Sequence, residues 1–266
     1  MTRVALTWRD ALRHPIEVAA ERGLISAIEV VPSAYCRHGL ERLLKARLDA
    51  LGLPYSFHFV DLSLASADAL QNNSWDRVRD FLGHFSPLFV SDHLTACRSG
   101  DLDLEVNLPV VATEDAAAVY VENIEAFRQA VPCDFLLEHV PTHWSHPGDT
   151  LSSAEVYGQV LDRTRCGALL DVHNLFCDEL NLGVDPVEVL DRIDNVREIH
   201  VAGGFELEGG WRVDGHDHAV PERVFEILAL ALQRFDPELI VLEREHRFQD
   251  IDGVFADLER IHELAA

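Results

Sequence analysis

The sequence predicts an α/β fold, a (βα)8 or TIM barrel, formed by a single domain over residues 1–266. Short β-rich runs alternate with longer amphipathic runs from one end of the chain to the other, a pattern typical of a parallel sheet with crossover helices. Eight strand-then-helix units can be counted, whereas an open doubly wound sheet usually has fewer strands. The length suits one barrel, for which about 250 residues is typical.

The predicted strands are short and mostly apolar. In chain order they cover residues 3–8, 27–31, 55–60, 88–91, 135–138, 168–171, 198–202 and 239–242. The predicted helices are amphipathic, and they cover residues 10–22, 40–51, 75–84, 114–130, 153–164, 186–193, 221–234 and 250–264. Residues 203–213 alternate around glycine pairs and predict a β-hairpin inserted after the seventh strand. Such a hairpin would stand over the strand ends and shape access to them.

The stretch from Leu169 to Asn174 carries the clearest functional signal. An apolar run ends there in three polar side chains that can bind metal, namely Asp171, His173 and Asn174. Its shortness and the helical patterns on both sides favour a buried strand over a buried helix. Strands buried on both faces belong to parallel sheets, and in those folds ligands bind at the carboxyl ends of the strands. We therefore expect Asp171 at a ligand-binding edge.

The charge balance argues against a nucleic-acid partner. Lys and Arg number 22 against 46 Asp and Glu, a formal charge of −24 at pH 7, which repels phosphate backbones unless bound cations reverse the sign locally. No run approaches the ~20 apolar residues of a membrane helix, and residues 1–6 lack the layout of a signal peptide, so we predict a cytoplasmic protein without a membrane partner. The 5 cysteines show no Cys-x-x-Cys pairing, which favours reduced thiols.

Polar side chains recur at the predicted strand ends, and we expect them to converge at the mouth of the barrel. They are His58, His93, Glu138, Asp171, Asn174, His200, Asp214, His216 and Glu243. Glu198 with His200, and Asp214 with His216, are two residues apart, which places both members of each pair on one face of an extended strand. Imidazole and carboxylate ligands suit iron, zinc or manganese, and carboxylates can bridge metals. Because one metal uses about three or four protein ligands, this set predicts two or three metals.

Each candidate alone also fits a structural role. A single His58 or His93 is more often a hydrogen-bonded core histidine than a ligand, and Glu198 could be a buried partner that orients a neighbour. Five further side chains lie beside the candidates and could position a ligand, contact substrate or do neither: His139, His173, His218, Glu245 and His246. The recurrence at successive strand ends is what favours a metal site.

At these residues the chain resembles the DUF692 proteins, also called multinuclear non-heme iron-dependent oxidative enzymes, a family that includes the methanobactin biosynthesis oxidase. The resemblance runs nearly from end to end. Its motifs are residues 58–64 (HFVDLSL), 91–94 (SDHL), 108–113 (LPVVAT), 137–139 (LEH), 169–174 (LLDVHN), 198–203 (EIHVAG) and 213–216 (VDGH). Glu243 occupies the position of the family's last acidic strand end.

The resemblance implies a barrel that holds two or three iron ions in a mixed Fe2+/Fe3+ state, with the nine strand-end residues as ligands and O2 as co-substrate. It implies a four-electron oxidation of a residue in a ribosomally made precursor peptide, typically cysteine and sometimes aspartate or asparagine. A small partner protein usually recruits the leader peptide. We expect Asp171, His93 and Asn174 to be catalytic, since the neutral amide of Asn174 would bind weakly and could leave its metal open to exchange.

The chain departs from the family pattern at three places. Ser33-Ala34 stands where the family commonly has Glu-Asn, His173-Asn174 where it has Asn-Asn, and Gly204 where it has His. All nine candidate metal ligands are retained despite these changes, whereas residues that contact substrate need not be retained. The resemblance therefore supports an iron site more strongly than any particular reaction.

Two other functions stay open at this point. Divalent-metal barrels of the xylose isomerase and endonuclease IV type also gather His, Glu and Asp at strand ends, for hydride shift or phosphodiester hydrolysis. The −24 charge and the lack of basic clusters count against a nuclease but leave sugar isomerisation possible. A barrel without an open coordination position could instead serve as a scaffold or metal carrier.

Overall fold

A closed ring of eight parallel strands forms the centre of the molecule, as the sequence predicts. The computed structural model describes residues 2–71, 74–100, 102–131 and 133–266. In chain order the ring contains β1 Arg3–Thr7, β2 Ala27–Val30, β3 Tyr55–His58, β4 Val90–His93, β7 Phe135–Glu138, β8 Gly167–Asp171, β9 Val196–Ala202 and β12 Leu239–Glu243. The last strand pairs with the first, with Arg3 opposite Leu239, so the sheet has no open edge.

Helices cover the outside of the ring. They are α1 Arg13–Glu21, α2 Ser33–His38, α3 Glu41–Leu51, α4 Ser74–Leu82, α5 Glu114–Ala130, α6 Ser153–Thr164, α7 Val172–Leu182, α8 Pro186–Leu190, α9 Glu222–Leu232 and α10 Ile251–Ala265. Local chemistry sets their ends; for example, Ser152 and Glu155 form a capping box at the start of α6. Within the described ranges, no helix is both long enough and apolar enough to cross a membrane.

Two hairpins extend from the barrel. The predicted hairpin after the seventh barrel strand is confirmed: β10 Phe205–Glu206 pairs with β11 Arg212–Val213, and Gly209 and Gly210 adopt φ values of 100° and 86° at its turn. A second hairpin, between β4 and α5, joins β5 Ala96–Ser99 to β6 Leu102–Leu108 and was not predicted. The apolar residues of β6 alternate with polar ones, so the signal was present in the sequence.

The unit that contains β8 has two helices rather than the one expected. The prediction placed its helix at residues 186–193, where α8 lies, but α7 begins directly at the end of β8. Val172, Leu175 and Phe176 are buried and continue the apolar run of the strand into the helix. Asp171 is both the last residue of β8 and the N-cap of α7. No loop separates the two elements, so the polar residues at this boundary did not reveal the start of a helix.

Successive side chains of each barrel strand point alternately outwards and inwards, which produces two separate cores. Side chains on the outer face of the strands pack against the helices in one large cluster. The inner face starts with a small apolar floor of Ala5, Ala27, Phe89, Leu136, Leu169, Leu239 and Val241. Towards the carboxyl ends of the strands, the positions two residues further on are polar and buried, as in Glu29, Glu138 and Asp171. The barrel interior is therefore apolar below and polar at the mouth.

Candidate metal centre

Three neighbouring strands bring together the first group of predicted ligands. His58, His93 and Glu138 are the last residues of β3, β4 and β7, and the pairing of β4 with β7 sets His93 opposite Glu138. Oε2 of Glu138 lies 3.5 Å from Nε2 of His58 and 3.4 Å from Nε2 of His93. One carboxylate oxygen and two imidazole nitrogens thus face a common point.

Glu138 also belongs to a second group, with Asp171 and His200. The ligand atoms of these three side chains lie within 4.8 Å of one another. The pairing of β8 with β9 sets Asp171 opposite His200, and all three are buried. Glu138 is therefore placed to bridge the two groups.

Asp171 in turn belongs to a third group, with His216 and Glu243. Their ligand atoms again lie within 4.8 Å of one another, and Nε2 of His216 is 3.6 Å from Oε2 of Glu243. Oδ2 of Asp214 is 2.7 Å from the same nitrogen of His216. His216 adopts a left-handed backbone with φ 47°, and its carbonyl accepts a hydrogen bond of 2.8 Å from the backbone N–H of Glu245. The loop after the hairpin is thus fixed over the barrel mouth.

Asn174 differs from the prediction, which placed it at a strand end. It lies in the first turn of α7, whose N-cap is Asp171. Oδ1 of Asp171 accepts hydrogen bonds from the backbone N–H of His173 (2.6 Å) and Asn174 (2.9 Å). The amide Nδ2 of Asn174 donates to Oε1 of Glu138 at 3.2 Å and to the carbonyl of His139 at 3.1 Å. The helix start therefore holds both shared carboxylates.

Glu29 is a functional candidate that the sequence interpretation missed. It lies on β2, fully buried, with Oε2 at 3.0 Å from Nε2 of His200, whose other nitrogen is 3.1 Å from Oε2 of Glu243. Glu29, Glu198 and His200 form a fourth group, in which Glu198 accepts a 3.0 Å hydrogen bond from the hydroxyl of Ser56. The available signal was one carboxylate in an otherwise apolar predicted strand.

The departures at positions 173 and 204 are spatially linked. His173 is fully buried, and its Nδ1 lies 2.7 Å from Oδ1 of Asp214. A Cβ atom on Gly204 would lie 2.9 Å from Cε1 of His173 and 2.0 Å from the carbonyl oxygen of Val213. The imidazole of His173 therefore occupies space that a side chain at position 204 would need.

Burial pushes the two shared carboxyl groups towards their neutral forms. It raises the pKa of Glu138 to about 8, although the charges of His93 and His200 act in the opposite direction. Burial and the nearby charge of Asp214 raise the pKa of Asp171 to about 7. Carboxyl groups that hold protons near neutrality would release them to a bound cation, so metal affinity should rise with pH.

The pKa values of two other carboxyl groups are lowered rather than raised. Although burial opposes ionisation, the positive charge of His216 lowers the pKa of Asp214 below its usual range. Despite burial, His200 likewise lowers the pKa of Glu243. The centre thus combines ionised carboxylates with neutral carboxyl groups in one buried pocket.

The donor atoms fit cations of the iron, zinc or manganese class. Among the side chains that the structure describes, five buried oxygens have no hydrogen-bond partner: Glu29 Oε1, Glu138 Oε2, Asp171 Oδ2, Asn174 Oδ1 and Glu198 Oε2. An unpaired buried polar group costs about 1–3 kcal/mol, and buried carboxylates in proteins are normally paired or bound to metal. With imidazoles beside them, these oxygens supply a mixed donor set for more than one ion. The clustering supports a multinuclear metal site.

Comparison with known proteins identifies the family. A family model described as "RiPP precursor modification enzyme MbnB/TglH/ChrH" matches residues 3–266. The chain belongs to this family. RiPP precursor modification enzymes act on ribosomally synthesised peptides, so this finding confirms the resemblance noted from the motifs and identifies the class of enzyme.

Two curated relatives of this chain are named UPF0276 proteins. The protein from Streptomyces avermitilis is 32% identical over 253 residues, covering 91% of this chain and 51% of the relative. The protein from Caulobacter vibrioides is 29% identical over 245 residues, covering 90% of this chain and 86% of the relative. The chain therefore spans about half the length of the Streptomyces relative and most of the Caulobacter one.

Solved structures with the same fold include sugar epimerases and a protein with a bound zinc atom. D-allulose 3-epimerase from Methylomonas sp. in complex with D-allulose has a TM-score of 0.64 at 15% identity, covering 98% of this chain and 96% of that chain. The IOLI protein with a zinc atom has a TM-score of 0.62 at 13% identity, covering 99% and 96%. At this identity the likeness shows the fold alone, and it confirms the xylose isomerase-like TIM barrel.

Proposed function

We propose that this RiPP precursor modification enzyme binds two or three iron ions in a mixed Fe2+/Fe3+ state and uses O2 to oxidise one residue of a precursor peptide. A cysteine is the target that we favour, with aspartate or asparagine as the alternative. The observation that carries the proposal is the sharing of ligands: Glu138 and Asp171 each belong to two of the groups described above. Shared carboxylates are the means by which proteins hold neighbouring metal ions.

The residues that would hold the ions are the nine predicted from the strand ends and loops. They are His58, His93, Glu138, Asp171, Asn174, His200, Asp214, His216 and Glu243. When bound, such a centre would supply Lewis acidity to ionise a substrate thiol and would pass the electrons removed from the substrate to O2, which is reduced to water. We expect His93 and Asn174 to lie beside the reacting group. His93 is the more exposed histidine of the first group, at 14% against 4%, and Oδ1 of Asn174 has no hydrogen-bond partner among the described residues.

The protein would contribute orientation and the exclusion of water. The first turn of α7 fixes one oxygen each of Asp171 and Glu138, which leaves the other oxygen of each free for a cation. The second hydrogen bond of the Asn174 amide, to the carbonyl of His139, keeps that side chain against Glu138. A substrate side chain held at the mouth of the barrel would lie next to the metal centre. This proximity lowers the activation barrier, as in an intramolecular reaction.

The substrate and partner follow from the family rather than from the geometry. We propose a ribosomally made precursor peptide as substrate and a small protein that recruits its leader segment. The formal charge of −24 would favour a partner or leader with basic residues. We expect the enzyme to need this partner protein for efficient turnover of the precursor peptide.

The decisive experiment combines metal analysis with oxygen uptake. The enzyme is purified anaerobically with iron, and a precursor peptide and a small partner encoded beside its gene are added. We expect at least two irons per chain, consumption of O2 only with peptide present, and a mass change on one residue. His93→Ala and Asp171→Ala should lose iron, and unchanged iron content in both would remove these residues from the site. Turnover without O2 would contradict the oxidation.

A second candidate function is divalent-metal sugar isomerisation or epimerisation. Its specific support is the fold shared with D-allulose 3-epimerase and D-psicose 3-epimerase. This function needs no oxidant, so anaerobic enzyme loaded with Mn2+ should convert D-allulose if it is correct. Conversion of the sugar in the absence of O2, with no effect of peptide, would favour it over the oxidase.

A further inference from the structure

Arg212 is a positively charged side chain on the hairpin over the barrel mouth. It begins β11 and precedes the candidate ligand Asp214 by two residues. Its guanidinium lies over the ring of Phe176, with 5.3 Å between the guanidinium carbon and the ring centroid. That ring is 6.1 Å from the imidazole of His173, which contacts Asp214 at 2.7 Å. Arg212 therefore lies beside the candidate metal centre, with two rings between its guanidinium and Asp214.

Contacts with α7 hold Arg212 in place. Oδ1 of Asn181 accepts a 2.7 Å hydrogen bond from the backbone N–H of Arg212, and Nδ2 of Asn181 donates one of 2.8 Å to the carbonyl of Arg212. Phe176 lies nearer than Asn181 to the start of α7, where Asp171 caps the helix. The side chain of Arg212 therefore extends from Asn181 along α7 towards the candidate metal centre. Because both its backbone and its guanidinium are held, little conformational freedom remains to be lost when a ligand binds.

Arg212 has no carboxylate partner among the described side chains, although acidic residues outnumber basic ones by 46 to 22. Three described arginines have a buried Nε atom without a hydrogen-bond partner, namely Arg98, Arg212 and Arg244. The other two are paired with carboxylates through Nη2: Arg98 lies 3.4 Å from Asp103, and Arg244 lies 2.9 Å from Asp257. Of these three guanidinium groups, that of Arg212 is therefore the one whose contact is an aromatic ring rather than an anion.

A guanidinium held in this way favours a planar anion as its ligand. Its fork of N–H groups matches a carboxylate, to which it can donate two parallel hydrogen bonds. Near neutrality the anionic groups of an unmodified ribosomal peptide are the carboxylates of aspartate, glutamate and the carboxyl terminus. The formal charge of −24 repels acidic segments from the rest of the surface. A local cation at the barrel mouth would therefore decide where an acidic group of the peptide can bind.

We propose that Arg212 binds a carboxylate of the precursor peptide, close in sequence to the residue that is modified. This contact would determine which residue of the peptide enters the metal centre. The inference rests on the proposed function, because it takes the peptide as the ligand. The carboxylate belongs either to an acidic side chain or to the carboxyl terminus of the peptide, and the probes described next distinguish these two sources.

Two pairs of synthetic peptides test this contact without any assumption about catalysis. One pair is acetyl-Ala-Cys-Asp-amide and acetyl-Ala-Cys-Asn-amide, and the other is acetyl-Ala-Cys-Ala with a free or an amidated carboxyl terminus. Their binding to enzyme purified anaerobically with iron is measured by calorimetry. We expect a carboxylate probe to bind about tenfold more tightly than its amide counterpart, the value of one hydrogen bond to a charged group, and the pair that differs identifies the source. Equal affinity within both pairs, or no binding of either carboxylate probe, would overturn the assignment.

Arg22 provides a matched control for Arg212. It likewise lies over an aromatic ring, 4.8 Å from the centroid of Phe255, but it follows α1 and precedes β2, at the opposite end of the barrel. We expect Arg212→Gln to abolish the preference for a carboxylate and Arg22→Gln to retain it. Because Asn181 holds the backbone of residue 212, the substitution should leave the hairpin attached, and circular dichroism checks that both variants are folded. Persistence of the preference in Arg212→Gln, or its loss in both variants, would refute the contact.

The precursor peptide separates this inference from the proposed function. Iron content should be the same in the wild type, Arg212→Gln and Arg22→Gln, so a wild type without iron refutes the metal proposal and leaves the probe result standing. With active enzyme, conversion of the carboxylate nearest the modified residue to its amide should lower kcat/KM about tenfold in the wild type and should have no further effect in Arg212→Gln. An unchanged kcat/KM in the wild type, or equal losses in the two enzymes, would refute the peptide carboxylate as the ligand of Arg212.

Discussion

Replacing Glu29 by glutamine should weaken metal binding although Glu29 is not among the predicted ligands. Its carboxylate lies 3.0 Å from Nε2 of His200, whose Nδ1 faces Glu243. A histidine that ligates a metal through one nitrogen is commonly held by a carboxylate at the other, which fixes the tautomer and the ring orientation. Glutamine keeps the shape of the side chain but removes the charge, so the change tests this role.

Two independent estimates give a similar loss of metal affinity for Glu29→Gln. Loss of a partner that orients a metal ligand typically costs about 10-fold to 100-fold in metal affinity. A hydrogen bond to a charged group is worth about 1.5–3 kcal/mol, which corresponds to about 10-fold to 150-fold in a dissociation constant. Because the amide oxygen of glutamine can still accept a hydrogen bond, we expect a loss near 10-fold.

The assay is an anaerobic Fe2+ titration in competition with a coloured chelator, with circular dichroism to show that each variant is folded. The control is Asp178→Asn, because Asp178 is also a buried carboxyl group but accepts its hydrogen bond from the backbone N–H of Thr142 and belongs to none of the ligand groups described above. We expect the control to bind Fe2+ more tightly than Glu29→Gln. An affinity within twofold of wild type for Glu29→Gln, or equal losses in both variants, would refute the orienting role.

Three further predictions concern ligand sharing, close packing and pH. Glu138→Gln should remove more bound iron per chain than His58→Ala, measured by elemental analysis, because Glu138 belongs to two ligand groups and His58 to one. Gly204→Ala should lower the free energy of unfolding by about 1–3 kcal/mol in urea titration, because its Cβ would lie 2.9 Å from His173. Burial raises the pKa of Asp178 to about 7 in the folded protein, so the folded state binds the extra proton and stability should fall as pH rises from about 4 to about 7. In Asp178→Asn this component, at most about 3 kcal/mol between pH 5 and pH 7.5, should be absent when unfolding is compared at these two pH values.

The fold could be predicted because strand and helix patterns alternate without interruption. The bounds of α5, α6 and β7 match the predicted ones residue for residue. The prediction failed where a helix follows a strand without a loop, as α7 follows β8 at Asp171. It also missed β6, whose alternation is clear but whose hairpin lies outside the strand-then-helix repeat.

The sequence predicted those site residues that lie at the ends of barrel strands. His58, His93, Glu138 and Glu243 end their strands, and a closed barrel must bring such ends together. Glu29 was missed because a single acid inside an apolar strand resembles no ligand motif. The position of His216 depends on a loop with a left-handed residue, which pattern alone does not specify.

The start of α7 explains how one local feature can organise the whole centre. Asp171 ends β8 and caps α7 at once, so its Oδ1 is fixed by two backbone N–H groups while Oδ2 has no partner in the described regions. Asn174, one turn into the helix, fixes Glu138 in the same way, with Oε1 engaged and Oε2 unengaged. The positive end of the helix dipole also favours negative charge at this place. Both shared carboxylates therefore have one oxygen held by the protein and one available to a cation, so the start of α7 orients the free oxygens of both side chains.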